Sequence, residues 1–205
     1  MRALLLLPML AIAGPACAGE LVVLVRTPSG APVRDAVVSL YPDGRAAPLA
    51  APRPFQIAQR NIQFNPFVLV VPVGSEVAFP NFDTVRHHVY SFSPAKRFEL
   101  KLYAKEQNRS VRFDKPGVVP LGCNIHDKMT AFVKVSDTGL VAQSDASGRA
   151  AFGDVPNGPL VARIWHPYLR APGNQIELRW TGAPGRQVQT IALTLRPPPP
   201  VDSSY

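Results

Sequence analysis

Apolar residues in this chain occur in short runs or alternate with polar residues, and no long stretch repeats them at helical spacing. The segments 21–25, 36–41, 68–79, 131–135 and 160–165 are rich in Val, Leu and aromatic residues, which favour strands. Groups of Pro, Gly, Asn and Asp separate these segments, as turns require. The pattern predicts an all-β protein.

The placement of the turns predicts how the strands are connected. Segments 21–25 and 36–41 flank a Pro-Ser-Gly-Ala-Pro turn, so we expect residues 20–43 to form a hairpin. Segment 68–79 is interrupted at Gly74, which indicates two strands joined by a turn. A last alternating strand is expected over 187–195.

The first 18 residues have the pattern of a secretory signal peptide. Arg2 precedes an apolar run, and small residues then lead to an expected cleavage after Ala18. The run is shorter than the roughly 20 apolar residues of a membrane-spanning helix. Cys17 would also permit a lipoprotein. We expect export to the periplasm and no membrane span.

The chain is basic, with a formal net charge of +8. A basic surface attracts nucleic acid, anionic surfaces or acidic proteins, or it serves solubility alone. Export makes nucleic acid an unexpected partner.

Removal of the signal peptide leaves Cys123 as the one cysteine, so the mature chain cannot form an internal disulfide. A lone thiol in an oxidising compartment is buried, paired between chains, or bound to a metal.

The neighbours of Cys123 favour the metal. His126 and Met129 follow it in a Cys-x2-His-x2-Met pattern, and the pair His87–His88 lies upstream. Two imidazoles, one thiolate and a weak axial Met are the ligands of a type 1 (blue) copper site. Successive residues of a strand face opposite ways, so one member of the histidine pair is expected to ligate.

Other interpretations explain fewer of these residues together. A lone Cys or Met is usually part of a core, and a Cys-His nucleophile would need an orienting third group that the sequence does not supply. Zinc is not the expected metal, because Met is a poor zinc ligand. His166 is expected to be structural.

The segment 54–136 resembles a small cupredoxin of the plastocyanin and amicyanin type. The similarity covers the strands at 67–77, the loop 81–83 before the histidines, and the Phe-Asp-Lys-Pro-Gly approach at 113–117. The family commonly has Pro-His-Asn-Val at its first ligand, and aligning its valine with Val89 makes His87 the ligand and His88 the alternative. The resemblance also implies that His126 is the electron exit. The strand before Cys123 lacks the usual aromatic residue.

The flanking segments resemble a transthyretin-like, carboxypeptidase-regulatory-type sandwich. The resemblance implies a cupredoxin Greek-key β-sandwich inserted in a second β-sandwich. The expected domains are a signal peptide (1–18), a discontinuous transthyretin-like sandwich (19–46 and 137–197), a cupredoxin domain (54–136) and a disordered tail (198–205). The whole chain is also similar to bacterial proteins labelled methylamine utilization protein, a label that demonstrates no role.

These resemblances imply a periplasmic carrier of single electrons with one copper ion and no catalytic residues. An enzyme would need a second metal centre with an open position, and the sequence contains no such cluster. A copper chaperone or sensor, or a non-redox interaction module, would use the same residues. Because basic residues are dense in 54–136, we expect an acidic redox partner such as a periplasmic cytochrome or dehydrogenase.

Overall fold

The computed structural model describes residues 18–198 except 52 and 106. The predicted signal peptide, apart from Ala18, and the predicted tail, apart from Pro198, lie outside the described residues. The described part consists of strands and one short 3₁₀ helix, Pro172–Asn174, without an α-helix, which confirms the prediction of an all-β protein. Across these residues, no helix has the length and apolar character needed to cross a membrane.

The strands are numbered in chain order. They are β1 (Gly19–Arg26), β2 (Val37–Pro42), β3 (Phe55–Gln56), β4 (Ala58–Gln59), β5 (Phe64–Asn65), β6 (Val68–Pro72), β7 (Ser75–Ala78), β8 (His87–Phe92), β9 (Arg97–Tyr103), β10 (Ser110–Phe113), β11 (Gly117–Gly122), β12 (Thr130–Ser136), β13 (Val141–Gln143), β14 (Arg149–Val155), β15 (Gly158–Trp165), β16 (Gln175–Gly182) and β17 (Gly185–Ala192).

The middle of the chain forms a β-sandwich around one apolar core. A five-stranded sheet has the order β6-β12-β11-β8-β9, and a three-stranded sheet has the order β10-β7-β3. Alternate residues of β12 are buried, as expected for a strand with one face against a core. Val77 and Phe113 of the smaller sheet share a core cluster with Val89 and Val133 of the larger one. This core also contains Cys123 and Met129.

The chain on either side of this segment forms a second sandwich. Its sheets have the orders β14-β1-β17 and β13-β2-β15-β16. Strand β1 pairs antiparallel with β14 and parallel with β17, while β2 pairs antiparallel with β13 and β15. Strands from the start of the chain therefore pair with strands that follow the middle segment.

The hairpin predicted for residues 20–43 is wrong. Strands β1 and β2 lie in different sheets, and no ladder joins them. Val23 of β1 and Leu40 of β2 are both fully buried in the core between those sheets. The segment between the two strands crosses from one sheet to the other, so that the apolar side chains of both strands are buried between the two sheets.

A third apolar cluster joins the two sandwiches. Val37 and Trp165 come from the second sandwich, and Val68 comes from the first. The rings of Phe132 and Trp165 meet edge to face with centroids 5.8 Å apart. The two sandwiches therefore share a buried contact in addition to their chain connections.

Candidate metal centre

The loop between β11 and β12 carries three of the predicted ligands. Gly122 and Thr130 are register partners in the antiparallel ladder, so the loop leaves and re-enters the sheet at neighbouring positions. Within it, the Met129 N–H donates to the His126 carbonyl over 2.9 Å. Cys123 and Met129 are buried in the core, whereas His126 is half-buried.

The strand β8 carries the upstream histidine pair. His87 is fully buried, and the edge of its ring faces His126, with ring centroids 5.0 Å apart. The Nδ1 atom of His87 is buried without a hydrogen-bond partner. A buried polar atom without a partner is costly, which makes this nitrogen a candidate ligand atom.

Three of the predicted residues converge. The potential ligand atoms of His87, Cys123 and His126 all lie within 4.8 Å of one another. Within this group, Cys123 Sγ lies 3.7 Å from His126 Nδ1. One thiolate and two imidazoles form a donor set that could hold a metal ion. Met129 lies in the same apolar core cluster as Cys123.

His88, the alternative considered from the sequence, lies outside this group. Its Nε2 atom is 2.9 Å from Glu99 Oε1 on β9, and its ring is tilted against Tyr90. Adjacent residues of β8 point to opposite faces, so His87 enters the core and His88 does not approach Cys123.

Asp83 is a residue of the site that the sequence did not assign. Its Oδ2 atom lies 2.8 Å from His87 Nε2. Partial burial by itself raises the pKa of Asp83, but the backbone N–H of Ile62, the His87 imidazole and the N–H of Asn61 together lower this pKa below its ordinary value. The carboxyl is therefore ionised at neutral pH and accepts a hydrogen bond from His87.

A buried polar network supports the loop before His87. The Tyr103 hydroxyl donates to the Phe79 carbonyl over 2.7 Å, and burial raises the pKa of Tyr103 to about 12. Asn81 is also buried and donates through Nδ2 to the carbonyls of Val85 and Tyr103. Since these groups are uncharged at neutral pH, they fix the loop without adding charge beside Cys123.

Exposed apolar side chains lie on the loops that carry the residues of this site. Ile125 lies between Cys123 and His126 in the chain and is half exposed. Burial, together with the charge of His87, lowers the pKa of His126 below its ordinary value, although Asp83 acts in the opposite direction. We call the exposed apolar residues on the loops of this site the apolar rim; they are Ile62, Phe82, Val85 and Ile125.

The strand before Cys123 lacks an aromatic side chain of its own, but a neighbouring strand supplies one. Gly122 pairs with Tyr90 on β8. A Cβ atom at position 122 would lie 2.8 Å from the Tyr90 ring, so the ring rests directly on the glycine backbone. The missing side chain at position 122 is what allows Tyr90 to cover the chain beside Cys123.

Several solved structures of copper proteins are similar to part of the chain. A purple cupredoxin from Nitrosopumilus maritimus is 24% identical, with a TM-score of 0.37, over 40% of this chain and 99% of that one. A reduced Cu(I) amicyanin variant is 23% identical, with a TM-score of 0.38, over 48% of this chain and 98% of that one. A copper-containing nitrite reductase from Thermus scotoductus is 25% identical, with a TM-score of 0.40, over 46% of this chain and 25% of that one.

Neither a family model nor a curated protein sequence matches this chain.

Proposed function

We propose that this protein is a periplasmic type 1 copper protein that carries single electrons between redox partners. The observation that carries the proposal is the convergence of His87, Cys123 and His126 to within 4.8 Å at the edge of a β-sandwich core. The bound copper would alternate between Cu(II) and Cu(I). Soft sulfur ligands suit Cu(I), while imidazole suits both states.

The residues of the site fit this role. His87 would ligate through Nδ1, the buried nitrogen without a partner, and His126 through the nitrogen that faces Cys123. Met129 would be the weak axial ligand. Strands β8, β11 and β12 and the buried network at Asn81 hold these groups in place, so little rearrangement would accompany a change of charge. Small rearrangement favours fast electron transfer.

The test is an absorption titration of the purified mature protein with Cu(II). One equivalent should produce an intense blue or green thiolate charge-transfer band, and Cys123→Ser should abolish it. Asn124→Ala, which changes an exposed residue of the same loop, should retain the band. A protein that remains colourless, or that binds copper equally well without Cys123, would contradict the proposal.

A copper chaperone or sensor would use the same ligands without electron exchange. Repeated reduction and reoxidation by a protein partner without loss of copper would identify a carrier. Transfer of the ion to an apo-protein, without redox exchange, would identify a chaperone.

We further propose that the redox partner is acidic and docks over the half-buried His126. Basic residues in 54–136 outnumber acidic ones, and Arg86 and Lys128 are exposed close in sequence to His87 and His126. Opposite charges would steer the encounter, and the apolar rim would form the contact.

The two sandwiches correspond in this proposal to a cupredoxin domain over 54–136 and a discontinuous transthyretin-like domain over 19–46 and 137–197. Their separate cores support this division. The cluster at Trp165 would then be an interface between domains.

A further inference from the structure

A two-residue turn joins the short strands β4 and β5 near the candidate metal centre. Arg60 and Gln63 exchange backbone hydrogen bonds of 3.0 and 3.1 Å across it. The central residues, Asn61 and Ile62, both have φ of 55°. Positive φ at both positions is the conformation of a type I′ hairpin turn, which Asn adopts readily but a β-branched Ile does not.

The Asp83 carboxylate bonds to both central residues of this turn. The Asn61 N–H donates to Oδ1 over 2.6 Å, and the Ile62 N–H donates to Oδ2 over 3.0 Å. The backbone of Asp83 is fixed as well, because its N–H donates to Asn81 Oδ1 over 2.9 Å. The carboxylate therefore has a defined position, and it holds Ile62 in a conformation that this residue otherwise disfavours.

The same carboxylate contacts His87. An ionised carboxylate can only accept hydrogen bonds, so the His87 Nε2 atom, 2.8 Å from Oδ2, must carry the proton. In a neutral imidazole the lone pair is then on Nδ1. That nitrogen is buried without a hydrogen-bond partner, and His87 itself belongs to the group with Cys123 and His126.

We propose that Asp83 is a positioning residue and that the Asn61–Ile62 turn is a remote part of the metal centre. The turn fixes the carboxylate, the carboxylate fixes the tautomer and ring orientation of His87, and His87 presents Nδ1 to the metal. This inference rests on the proposed copper function. Partners that orient a ligating histidine commonly change metal affinity by about 10- to 100-fold.

The first test uses the apo-protein and therefore does not depend on copper. Nitrogen-15 NMR at pH 8 should show His87 as the Nε2-protonated tautomer in the unsubstituted protein. Asp83→Ala should give a mixture of tautomers. Asp114→Ala is the matched control, because Asp114 is an exposed carboxylate of the same sandwich, bound by Arg112, and its removal should leave His87 unchanged.

The turn is tested separately at Ile62. Ile62→Gly keeps the N–H donor and accepts positive φ, so His87 should keep its tautomer. Ile62→Pro removes the donor and cannot adopt φ of 55°, so it should shift His87 in the same direction as Asp83→Ala. Equal spectra for the Gly and Pro variants would remove the turn from the proposal.

The copper-loaded protein provides the second readout. Asp83→Ala should weaken copper binding by about 10- to 100-fold. It should also raise the reduction potential, because the loss of a negative charge near the ion destabilises Cu(II) more than Cu(I). Asp83→Asn keeps one acceptor oxygen. Its copper affinity and reduction potential should therefore lie between those of the unsubstituted protein and those of Asp83→Ala.

The outcomes separate this inference from the proposed function. If the tautomer depends on Asp83 but copper gives no thiolate band, the positioning stands and the copper function fails. If the unsubstituted protein holds His87 protonated on Nδ1, or if Asp83→Ala changes neither tautomer nor potential, the positioning is overturned. The tautomer of His87 in the unsubstituted protein tests the positioning even if Asp83→Ala does not fold.

Discussion

The imidazole rings of His87 and His126 meet edge to face with centroids 5.0 Å apart, although they come from different strands and loops of the sandwich. Strand β8 brings one ring to the site, and the loop after β11 brings the other. His88 is adjacent to His87 in sequence, yet it bonds to Glu99 on the other face of the strand. Neighbouring histidines thus have different surroundings.

This difference predicts unequal effects of two alanine substitutions. His87→Ala should abolish the thiolate charge-transfer band, because it removes one imidazole of the group that contains Cys123. His88→Ala should keep the band, since it removes only the contact with Glu99 and Tyr90. Absorption and electron paramagnetic resonance spectra of the copper-loaded variants measure both. The reverse ranking would show that His88 is the ligand.

The buried position of Trp165 predicts that the contact between the sandwiches contributes to the free energy of unfolding. It is buried against Phe132, and its ring also lies 5.8 Å from Lys134 Nζ. Trp165→Ala should lower the free energy of unfolding by about 3–5 kcal/mol, the usual cost for a buried Trp. Urea denaturation measures this change. Trp180→Ala, at a half-buried position in the second sandwich, is the control and should cost less. Equal losses would argue against a shared buried contact.

The lowered pKa of His166 predicts that the stability of the folded protein depends on pH. Burial lowers its pKa below the ordinary 6.5, although the Arg34 backbone and the Asp35 charge act in the opposite direction. The unfolded chain therefore gains a proton near pH 6.5, whereas folded His166 gains one only at lower pH. The stabilisation from neutral His166 is fully present above pH 6.5 and is lost as the pH falls towards the folded pKa.

The comparison that measures this effect is between the unsubstituted apo-protein and His166→Gln. The difference in their free energies of unfolding should shrink between pH 7.5 and pH 5, because only the former loses stability through this group. A difference that grows on acidification would mean that folding raises the pKa of His166.

The proposed acidic partner predicts a salt dependence of electron transfer. The screening length falls from about 10 Å at 0.1 M to about 3 Å at 1 M ionic strength, so the second-order rate constant should fall across that range. Stopped-flow mixing with candidate cytochromes or dehydrogenases measures it. Lys128→Glu, beside the loop histidine, should slow the reaction at low salt more than at high salt. A rate that is indifferent to salt, or that rises with it, would remove the acidic partner.

The elements that the sequence predicted well depend on local chemistry. Alternation of apolar and polar residues, together with β-branched residues, indicated many of the strands. This signal lies within each strand and does not depend on which strands pair with it. Some strands were missed even though they carry the same signal: Phe98 and Leu100 alternate in β9, and Ile176, Leu178 and Trp180 alternate in β16. The grouping of Cys123 with His126 could also be predicted from the sequence, because two residues of one short loop cannot lie far apart.

The sequence by itself determined the all-β class and the chemistry of the ligand loop. Tertiary structure decided which strands became partners, so that β1 and β2 face each other across a core and do not form a hairpin. It also decided that His87 and not His88 lies beside Cys123, and that Asp83 bonds to a turn some twenty positions earlier in the chain. These relationships join residues distant in sequence. Local patterns do not encode them, because they arise only when the competition for buried apolar surface fixes how the sheets pack.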